Sequence, residues 1–308
     1  MSKASSLSSR RSFLLGSGIA VAALAMFGCG STTPARPTPE PKRGQVLWGM
    51  FIHSADPQSF GFKPDLVHKI DQQLGHPIEV FHWYQQWPNA WKDVVSNVRK
   101  TIASGWTPFI TWEAFNAPLG TITSGGLDAY IDSWAHGIAQ LAPKVVWLRI
   151  FHEFNDRTDY PWQTTKNSPA TFIAAWKHIH DRFAAAGASN VRWIWNFDGT
   201  SSPTLGDLAP AYPGDEYVDF TGWDGADDGT NYNLTLQVAP HKPMVVGEVY
   251  DSNGDEDSML RGMARMINAG NMPLIRAVVY FDEGGATLAP GRANLETVKS
   301  MLSGPAFQ

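Results

Sequence analysis

Eight short apolar segments, separated by longer amphipathic ones, constrain the fold of this chain more than any other feature of its sequence. The apolar segments are Val46–Phe51, Ile78–Trp83, Pro108–Trp112, Val145–Phe151, Val191–Trp195, Tyr217–Gly222, Pro243–Val249 and Arg276–Phe281. The clearest helical patterns between them are Trp91–Ala103, Gly126–Leu141, Pro169–Ala186, Glu256–Asn268 and Leu295–Leu302. This alternation predicts βαβ units with parallel strands. Eight such units form a (β/α)8 TIM barrel of roughly 250 residues, which matches the length of residues 44–308. We therefore predict an α/β fold, a single-domain (β/α)8 TIM barrel.

The first 29 residues predict an export signal that is not part of this domain. Arg10 and Arg11 precede a Ser-Phe-Leu sequence and an apolar run that ends at Phe27. A charged segment before a short apolar one is typical of a signal peptide, and the paired arginines indicate the twin-arginine route. The run is shorter than the roughly 20 residues that cross a membrane. We therefore expect export to the cell envelope or the extracellular space.

Cys29 is the only cysteine of the chain, so no intrachain disulfide can form. It follows Gly28 at the end of the apolar run, as in a bacterial lipoprotein cleavage site; the alternative is an incidental cysteine in a discarded signal. Residues 30–43 are rich in proline and have no apolar periodicity, which predicts an extended linker. A lipid on Cys29 is the one membrane attachment that we expect.

Composition narrows the class of ligand. The formal net charge is −5 and no basic cluster occurs, which argues against a nucleic-acid partner. The chain contains 13 tryptophans, many for its length. Aromatic rings stack on sugar rings, so these residues suggest a carbohydrate ligand. The alternative is that they fill the barrel core.

The ends of the predicted strands carry polar and aromatic side chains, and the active site of such a barrel lies at those carboxyl ends. The residues there are His53, Trp83, Tyr84, Trp112, Glu113, His152, Glu153, Asn196, Trp223, Asp224, Glu248, Tyr280, Phe281 and Asp282. An isolated glutamate such as Glu248, after four apolar residues, is costly to bury unless it is paired or functional. The alternative is a structural ion pair with Arg149 or Arg276.

Glu153 and Glu248 suggest a specific chemistry. Two carboxyl groups that flank a glycosidic bond can hydrolyse it, one by protonating the leaving oxygen and the other by attacking or activating water. Period-two alternation in the fourth strand predicts that Arg149, Phe151 and Glu153 share one face. These residues predict a glycoside hydrolase.

Other catalytic motifs are incomplete. A zinc protease motif starting at His152 needs a second histidine where Asp156 stands. The acidic segment 251–257 lacks the glycine of a calcium-binding loop. No Gly-x-Ser-x-Gly elbow follows a strand. We therefore expect no metal and no organic cofactor.

At these residues the sequence resembles glycoside hydrolase family 26, in a clan of retaining (β/α)8 enzymes. The segments that carry the resemblance are Arg149–Asn155, Met244–Glu248, Tyr212–Asp219, Pro108–Glu113 and Val278–Asp282. The resemblance implies retaining, endo-acting hydrolysis of a β-linked polysaccharide by double displacement, with β-1,4-mannan as the commonest substrate. It implies that Glu153 is the acid/base and Glu248 the nucleophile.

The resemblance also implies roles for neighbouring residues. His152 would contact the sugar or the nucleophile, and Arg149 would orient the nucleophile. Further substrate-binding candidates are Trp112, Trp162, Trp223, Asp224, Asn196 and Tyr280.

The sequence departs from the mannanases of the family at two points. They usually follow His-Glu closely with a loop rich in glycine and tryptophan, where this chain has Asn155–Trp162. They also usually carry tyrosine two residues after the aspartate that ends the sixth strand. Here Asp224 is followed by Gly225 and Ala226.

The sequence is compatible with other substrates and with a non-catalytic function. The substrate could be a β-glucan, a xylan or a bacterial exopolysaccharide, since a few cleft contacts decide between sugars. The chain could also be a non-catalytic, carbohydrate-binding surface lipoprotein, because fold does not fix function. Retention of Glu153 and Glu248 beside Arg149 and His152 favours an enzyme. We expect a monomer whose partner is a polysaccharide.

Overall fold

The structure is a computed structural model that describes residues 45–59, 61–156, 160–249, 256–282, 288 and 293–308. The predicted export signal, Cys29 and the linker 30–43 lie outside the described residues. None of the helices within the described ranges is long and apolar enough to cross a membrane.

Eight parallel strands form a closed barrel, in which each strand pairs with its neighbour in the sequence and the last pairs with the first. The strands are β1 (Leu47–Ile52), β2 (Val80–Gln86), β3 (Thr107–Glu113), β4 (Val146–Ile150), β5 (Val191–Asp198), β6 (Phe220–Asp224), β7 (Met244–Val249) and β8 (Ile275–Asp282). The predicted (β/α)8 barrel is therefore confirmed. The sixth strand begins three residues later than predicted, because Asp215–Tyr217 forms a short 3-10 helix.

Helices follow the strands in the order that the sequence predicts. They are α1 (Pro64–Leu74), α2 (Trp91–Ala103), α3 (Leu119–Thr123), α4 (Asp128–Ala139), α5 (Pro169–Ala185), α6 (Leu205–Leu208), α7 (Thr230–Val238), α8 (Glu256–Asn268) and α9 (Ala293–Leu302). The start of α5 shows why the prediction succeeds. The Ser168 hydroxyl accepts a hydrogen bond from the Thr171 amide at 3.1 Å, and Pro169 occupies the first helical position, where no amide donor is needed.

The strands carry two separate sets of apolar side chains, as period-two alternation requires. One set forms a cluster of its own inside the barrel, comprising Val80, Phe109, Trp147, Ile194, Phe220, Val245, Ala277 and Val279. The alternate residues pack outward in the larger core that they share with the helices. Two residues further along β3 and β4 from the inner cluster, Thr111 and Arg149 form a polar layer. The apolar cluster is the floor on which this layer rests.

A β-bulge in β7 interrupts this alternation. Against β6, Trp223 pairs with Val246 and Asp224 pairs with Glu248, so Gly247 is one extra residue. The register against β8 shifts within the same segment. Val245 points inward, so regular alternation would turn Glu248 outward; the extra residue returns its side chain to the interior.

We predict that Gly222→Ala destabilises the barrel. Gly222 pairs with Val245 across the β6–β7 junction, and a Cβ on Gly222 would overlap the backbone carbonyl oxygen of Val245. Neither backbone can retreat without breaking strand pairing, so the free energy of unfolding should fall by about 3 kcal/mol. Chemical denaturation of the full chain measures this.

Gly262→Ala is the matched control for this prediction. Gly262 lies within α8, and a Cβ there would meet no atom within 4 Å. The same substitution should raise stability there by about 0.5–1 kcal/mol, because alanine favours a helix. Equal effects at the two positions would contradict the steric argument.

Candidate active site

The guanidinium of Arg149 is the centre of the polar layer inside the barrel. It is fully buried and donates to both carboxylate oxygens of Asp224, at 2.8 and 3.0 Å. It also donates to Oε1 of Glu248, and its Nε donates to the Thr111 hydroxyl at 2.8 Å. Burial alone would lower the pKa of Arg149, but Asp224 and Glu248 raise it above its usual value, so the side chain stays charged. Arg149 thus joins the ends of β6 and β7 from β4.

Tyr84 supplies a second donor to Glu248. Its hydroxyl reaches from the end of β2 and donates to the same Oε1 that Arg149 contacts. Burial, followed by the neighbouring Glu248, raises the pKa of Tyr84, so the phenol keeps its proton and remains a donor. The Glu248 carboxylate is therefore held in one orientation by two fixed donors.

His82 supports the same layer from below Tyr84. Its Nε2 lies 2.7 Å from the Thr111 hydroxyl and 3.4 Å from the Arg149 guanidinium. Burial, followed by the charge of Arg149, lowers the pKa of His82, so its ring is neutral. Thr111 can then accept from Arg149 and donate to His82, which fixes the arginine without adding a second cation.

Glu153 follows β4 in a backbone conformation that non-glycine residues rarely adopt. Its φ is 50°, and that of Phe151 is 51°. The Glu153 amide donates to the carbonyl of Asn196 at 3.1 Å, which ties this turn to β5. Left-handed residues cost on the order of 1–3 kcal/mol each and often occur at functional sites. The prediction that Phe151 shares a face with Arg149 is wrong, because the turn directs Phe151 onto Phe172 and Trp176 of α5.

Glu153, Asp224 and Glu248 form a cluster of carboxylates at the barrel mouth. One oxygen from each lies within 4.8 Å of the others. Such a cluster has the donor chemistry for a cation, but Arg149 already contacts both Asp224 and Glu248. The arrangement is thus built around an internal cation.

The Glu153 carboxyl group is protonated at neutral pH. Its pKa is raised to about 8, first by burial and then by the negative charge of Glu248. Glu248 differs from Glu153 because it accepts one hydrogen bond from the cationic Arg149 and one from the neutral Tyr84. A neutral carboxylic acid beside a carboxylate can donate a proton while its neighbour offers an electron pair.

His152 and Trp162 lie together beside this cluster. The His152 ring is buried 6.0 Å from Tyr84, and burial lowers its pKa, so it is neutral. The Trp162 indole donates to the His152 carbonyl at 2.7 Å and is fully buried. Trp162 therefore supports the loop and offers no ring face to a ligand, so the prediction that it lines the cleft is wrong. Tyr160, stacked on Trp162, is the partly exposed ring at this place.

Three other predicted binding residues are also misplaced. Trp112 packs on Trp134 and Phe183 of the surrounding helices, and Tyr280 lies beside Trp48 in the same outer core. Trp223 lies in that core against Phe197. These predictions are wrong because each side chain sits on the outer face of its strand. Asn196 and Asp224, in contrast, lie beside Arg149, because a Cβ on Gly247 would come within 2.8 Å of atoms from all three.

Tyr84 and Glu113 are the inward residues that the predicted site lacks. The sequence shows both at strand ends, next to Trp83 and Trp112. Counting by two from the interior residue Val80 gives His82 and Tyr84, and counting from Phe109 gives Thr111 and Glu113. One interior residue in each strand is therefore enough to predict which later residues of that strand point inward.

We predict that Glu248→Gln lowers the pKa of Glu153. The substitution removes a neighbouring negative charge and preserves side-chain volume, so Glu153 should ionise at a pH below its present value of about 8. Carboxyl ¹³C NMR titration of the two proteins measures the shift. Glu216→Gln, an exposed position before β6, is the control and should leave the titration unchanged. An unchanged Glu153 titration in Glu248→Gln would mean that the two groups do not interact.

Known proteins resemble this chain in sequence and in fold. Endoglucanase H of Acetivibrio thermocellus is 35% identical over 179 residues, which cover 56% of this chain and 19% of that protein. The chain thus spans about a fifth of that relative. The catalytic domain of a Bacillus endo-β-1,4-mannanase superposes with a TM-score of 0.67 at 15% identity, covering 85% of this chain and 86% of that one.

A Cellulomonas fimi endo-β-1,4-mannanase superposes with a TM-score of 0.65 at 17% identity, covering 86% of this chain and 72% of that one. At this identity the solved structures show a shared fold. The sequence profile of Glycosyl hydrolase family 26 matches residues 80–269, which is more than half of the chain and includes both Glu153 and Glu248. The chain therefore belongs to glycosyl hydrolase family 26, as its resemblance predicted.

Proposed function

We propose that this protein is a retaining, endo-acting β-glycanase with Glu153 as acid/base and Glu248 as nucleophile. The observation that carries the proposal is the approach of the two carboxyl groups, of which one oxygen each lies within 4.8 Å of the other. Retaining enzymes keep the two carboxyl groups about 5–5.5 Å apart, whereas inverting enzymes need about 6.5–9.5 Å to admit a water. The raised pKa of Glu153 supports the same assignment of roles.

The reaction is a double displacement in two steps. In the first, a Glu248 oxygen bonds to the anomeric carbon, the glycosidic C–O bond breaks, and the Glu153 proton passes to the leaving oxygen. In the second, water attacks the anomeric carbon, gives one proton to Glu153, and releases Glu248 as a carboxylate. Arg149 and Tyr84 hold the attacking carboxylate, so little reorientation precedes the first step.

The charges of the site favour the transition state. Burial raises the pKa of Asp224 well above its usual value, which favours its protonated form, so Arg149 balances the charge of the Glu248 carboxylate. The sugar develops positive charge as the glycosidic bond breaks. The Glu248 carboxylate, already oriented by Arg149 and Tyr84, therefore stabilises the transition state more than the neutral substrate.

The first substrate to test is a β-glucan. Support comes from the name and identity of Endoglucanase H, because the solved mannanases share only their fold with this chain. The absence of the tyrosine that mannanases carry after the aspartate of the sixth strand, here Asp224, also favours testing β-glucan before β-mannan. β-1,4-Mannan, the substrate that the sequence predicted, is the second candidate, since the fold of several mannanases is the same. The export pattern of residues 1–29 fits a polymer met outside the cytoplasm.

We expect wild-type protein to release reducing sugar from mixed-linkage β-glucan or from β-mannan, within a panel that includes cellulose and xylan. Glu248→Ala and Glu153→Ala should each lower the rate on the same polymer by about 10³-fold or more. Glu216→Ala should retain full activity. Proton NMR of the first product should show the β anomer. An α anomer would overturn retention, and sugar binding without hydrolysis of any polymer would favour a non-catalytic protein.

Tyr84→Phe should lower kcat about tenfold with little change in KM, because a hydrogen bond to a charged group contributes about 1.5–3 kcal/mol. The ring stays, so the melting temperature should change little. Tyr212→Phe is the matched control, since it also removes a tyrosine–carboxylate hydrogen bond, to Asp215 at 2.7 Å, but far from the site. Equal kcat values for Tyr84→Phe and wild type would show that Arg149 alone positions Glu248.

A further inference from the structure

The side chain of Asn155, two residues after Glu153, joins the turn of residues 151–156 to the end of β5. Its Oδ1 accepts a hydrogen bond from the Asp198 amide at 2.8 Å, and its Nδ2 donates to the Asp198 carbonyl at 2.9 Å. Nδ2 also donates to the Ser201 hydroxyl at 3.3 Å. If the carboxamide were rotated by half a turn, it would set donor against donor and acceptor against acceptor at Asp198, so these contacts fix its orientation.

This contact takes the place of strand pairing. Pairing of β4 with β5 extends as far as Arg149 and Ile194, whereas β5 continues to Asp198. In a parallel sheet, a backbone amide and carbonyl of one strand need a donor and an acceptor from the neighbouring strand. A carboxamide carries both groups side by side. Asn155 therefore supplies to Asp198 what a paired residue of β4 would supply.

The turn that contains Glu153 depends on such outside contacts. The left-handed conformation of Glu153, with a φ of 50°, persists only where the surrounding structure holds it. The Asp156 amide donates to the Glu153 carbonyl at 2.9 Å, which closes a turn with Phe154 and Asn155 in its middle. Phe154 is fully buried, with its ring centroid 5.0 Å from that of Trp195. The two middle residues are thus anchored separately, one in the outer core and the other on the backbone of β5.

We propose that Asn155 is a positioning residue for the acid/base Glu153. It acts through the backbone of the turn, and the donors that orient Glu248 are instead Arg149 and Tyr84. Proton transfer requires the Glu153 carboxyl group to lie within hydrogen-bond reach of the leaving oxygen. Loss of the Asn155 contacts should therefore impair protonation of the leaving group and spare the attack by Glu248. This inference rests on the proposed function and divides its two catalytic groups between separate supports.

The test compares two leaving groups with the full-length chain. The substrates are cellopentaose and 2,4-dinitrophenyl β-cellobioside, with the corresponding mannose compounds. A sugar must be protonated as it leaves, whereas dinitrophenolate leaves without a proton. Asn155→Ala should lower kcat/KM on the pentasaccharide by about 10- to 100-fold, because a small misplacement of a catalytic group is costly. Its kcat/KM on the dinitrophenyl glycoside, which reports only the steps up to the first bond cleavage, should stay within about twofold of wild type.

Azide provides a second readout. Glu153 also serves as the base that activates water in the second step. Azide attacks the glycosyl-enzyme without a base, so it should raise kcat of Asn155→Ala on the dinitrophenyl glycoside and yield the β-glycosyl azide. A merely structural role of Asn155 would lower the rates on both leaving groups together and give no response to azide.

Two further variants complete the experiment. Asn155→Leu keeps the branched shape of the side chain without its hydrogen bonds and serves if the alanine variant fails to fold. Asn190→Ala is the matched control, because the Asn190 side chain also donates to two backbone carbonyls, those of Ile138 and Lys144 at 2.9 and 2.8 Å, at the opposite end of β5. It should lower the melting temperature and leave the ratio of the two kcat/KM values unchanged.

The outcomes separate this inference from the proposed function. A wild-type ratio of the two kcat/KM values in Asn155→Ala and in Asn155→Leu, with an active wild type, would overturn the role of Asn155 alone. Failure of wild type to cleave any of the four substrates would overturn the proposed function and the role of Asn155 with it.

Discussion

The buried guanidinium of Arg149 is the constraint on which the rest of this structure depends. Glu153, Asp224 and Glu248 lie together in the interior of the barrel, and a neighbouring cation lowers the free-energy cost of burying them. Arg149 provides that cation from β4, and its fork geometry binds Asp224 and Glu248 at once. Its own burial is supported by Thr111 and by the neutral ring of His82. The apolar floor below excludes water, so these charges act at short range in a medium of low polarity.

The fold and part of the site follow from the sequence, and the limits of that prediction have a physical cause. The alternation of apolar and amphipathic segments predicts all eight strands, because each parallel strand must be covered by a helix. Strand ends also identify Glu153 and Glu248, and the family resemblance adds Arg149. A strand end alone does not say which face a side chain takes, so Trp112, Trp223 and Tyr280 were assigned to the wrong side. Tryptophans in this chain mainly fill the outer core.

Two irregularities of the backbone lie beyond periodicity. The backbone turns at Phe151 and Glu153, both of which have a left-handed conformation. Neither residue type favours that conformation, so the sequence does not predict the turn. The surrounding structure holds this turn by the Asn196 carbonyl, by the Trp162 indole and by the packing of Phe151 on α5. Most of the fixed contacts that shape the acid therefore come from β5 and α5 rather than from β4 itself.

The bulge in β7 has a consequence for how such a barrel can change over evolution. Gly247 is one residue more than pairing requires, and a Cβ there would lie 2.6 Å from Asn196 Oδ1 and from Asp224 Oδ1. Deleting Gly247 would remove the register shift against β6 and leave Glu248 on the inner face, because regular alternation from the inward Val245 then places it there. A larger residue at position 247 would instead displace the oxygens of Asn196 and Asp224 that lie around the Arg149 guanidinium. Sequence change in this strand can therefore shorten the bulge and keep the direction of Glu248, whereas substitution of the glycine disturbs the buried arginine.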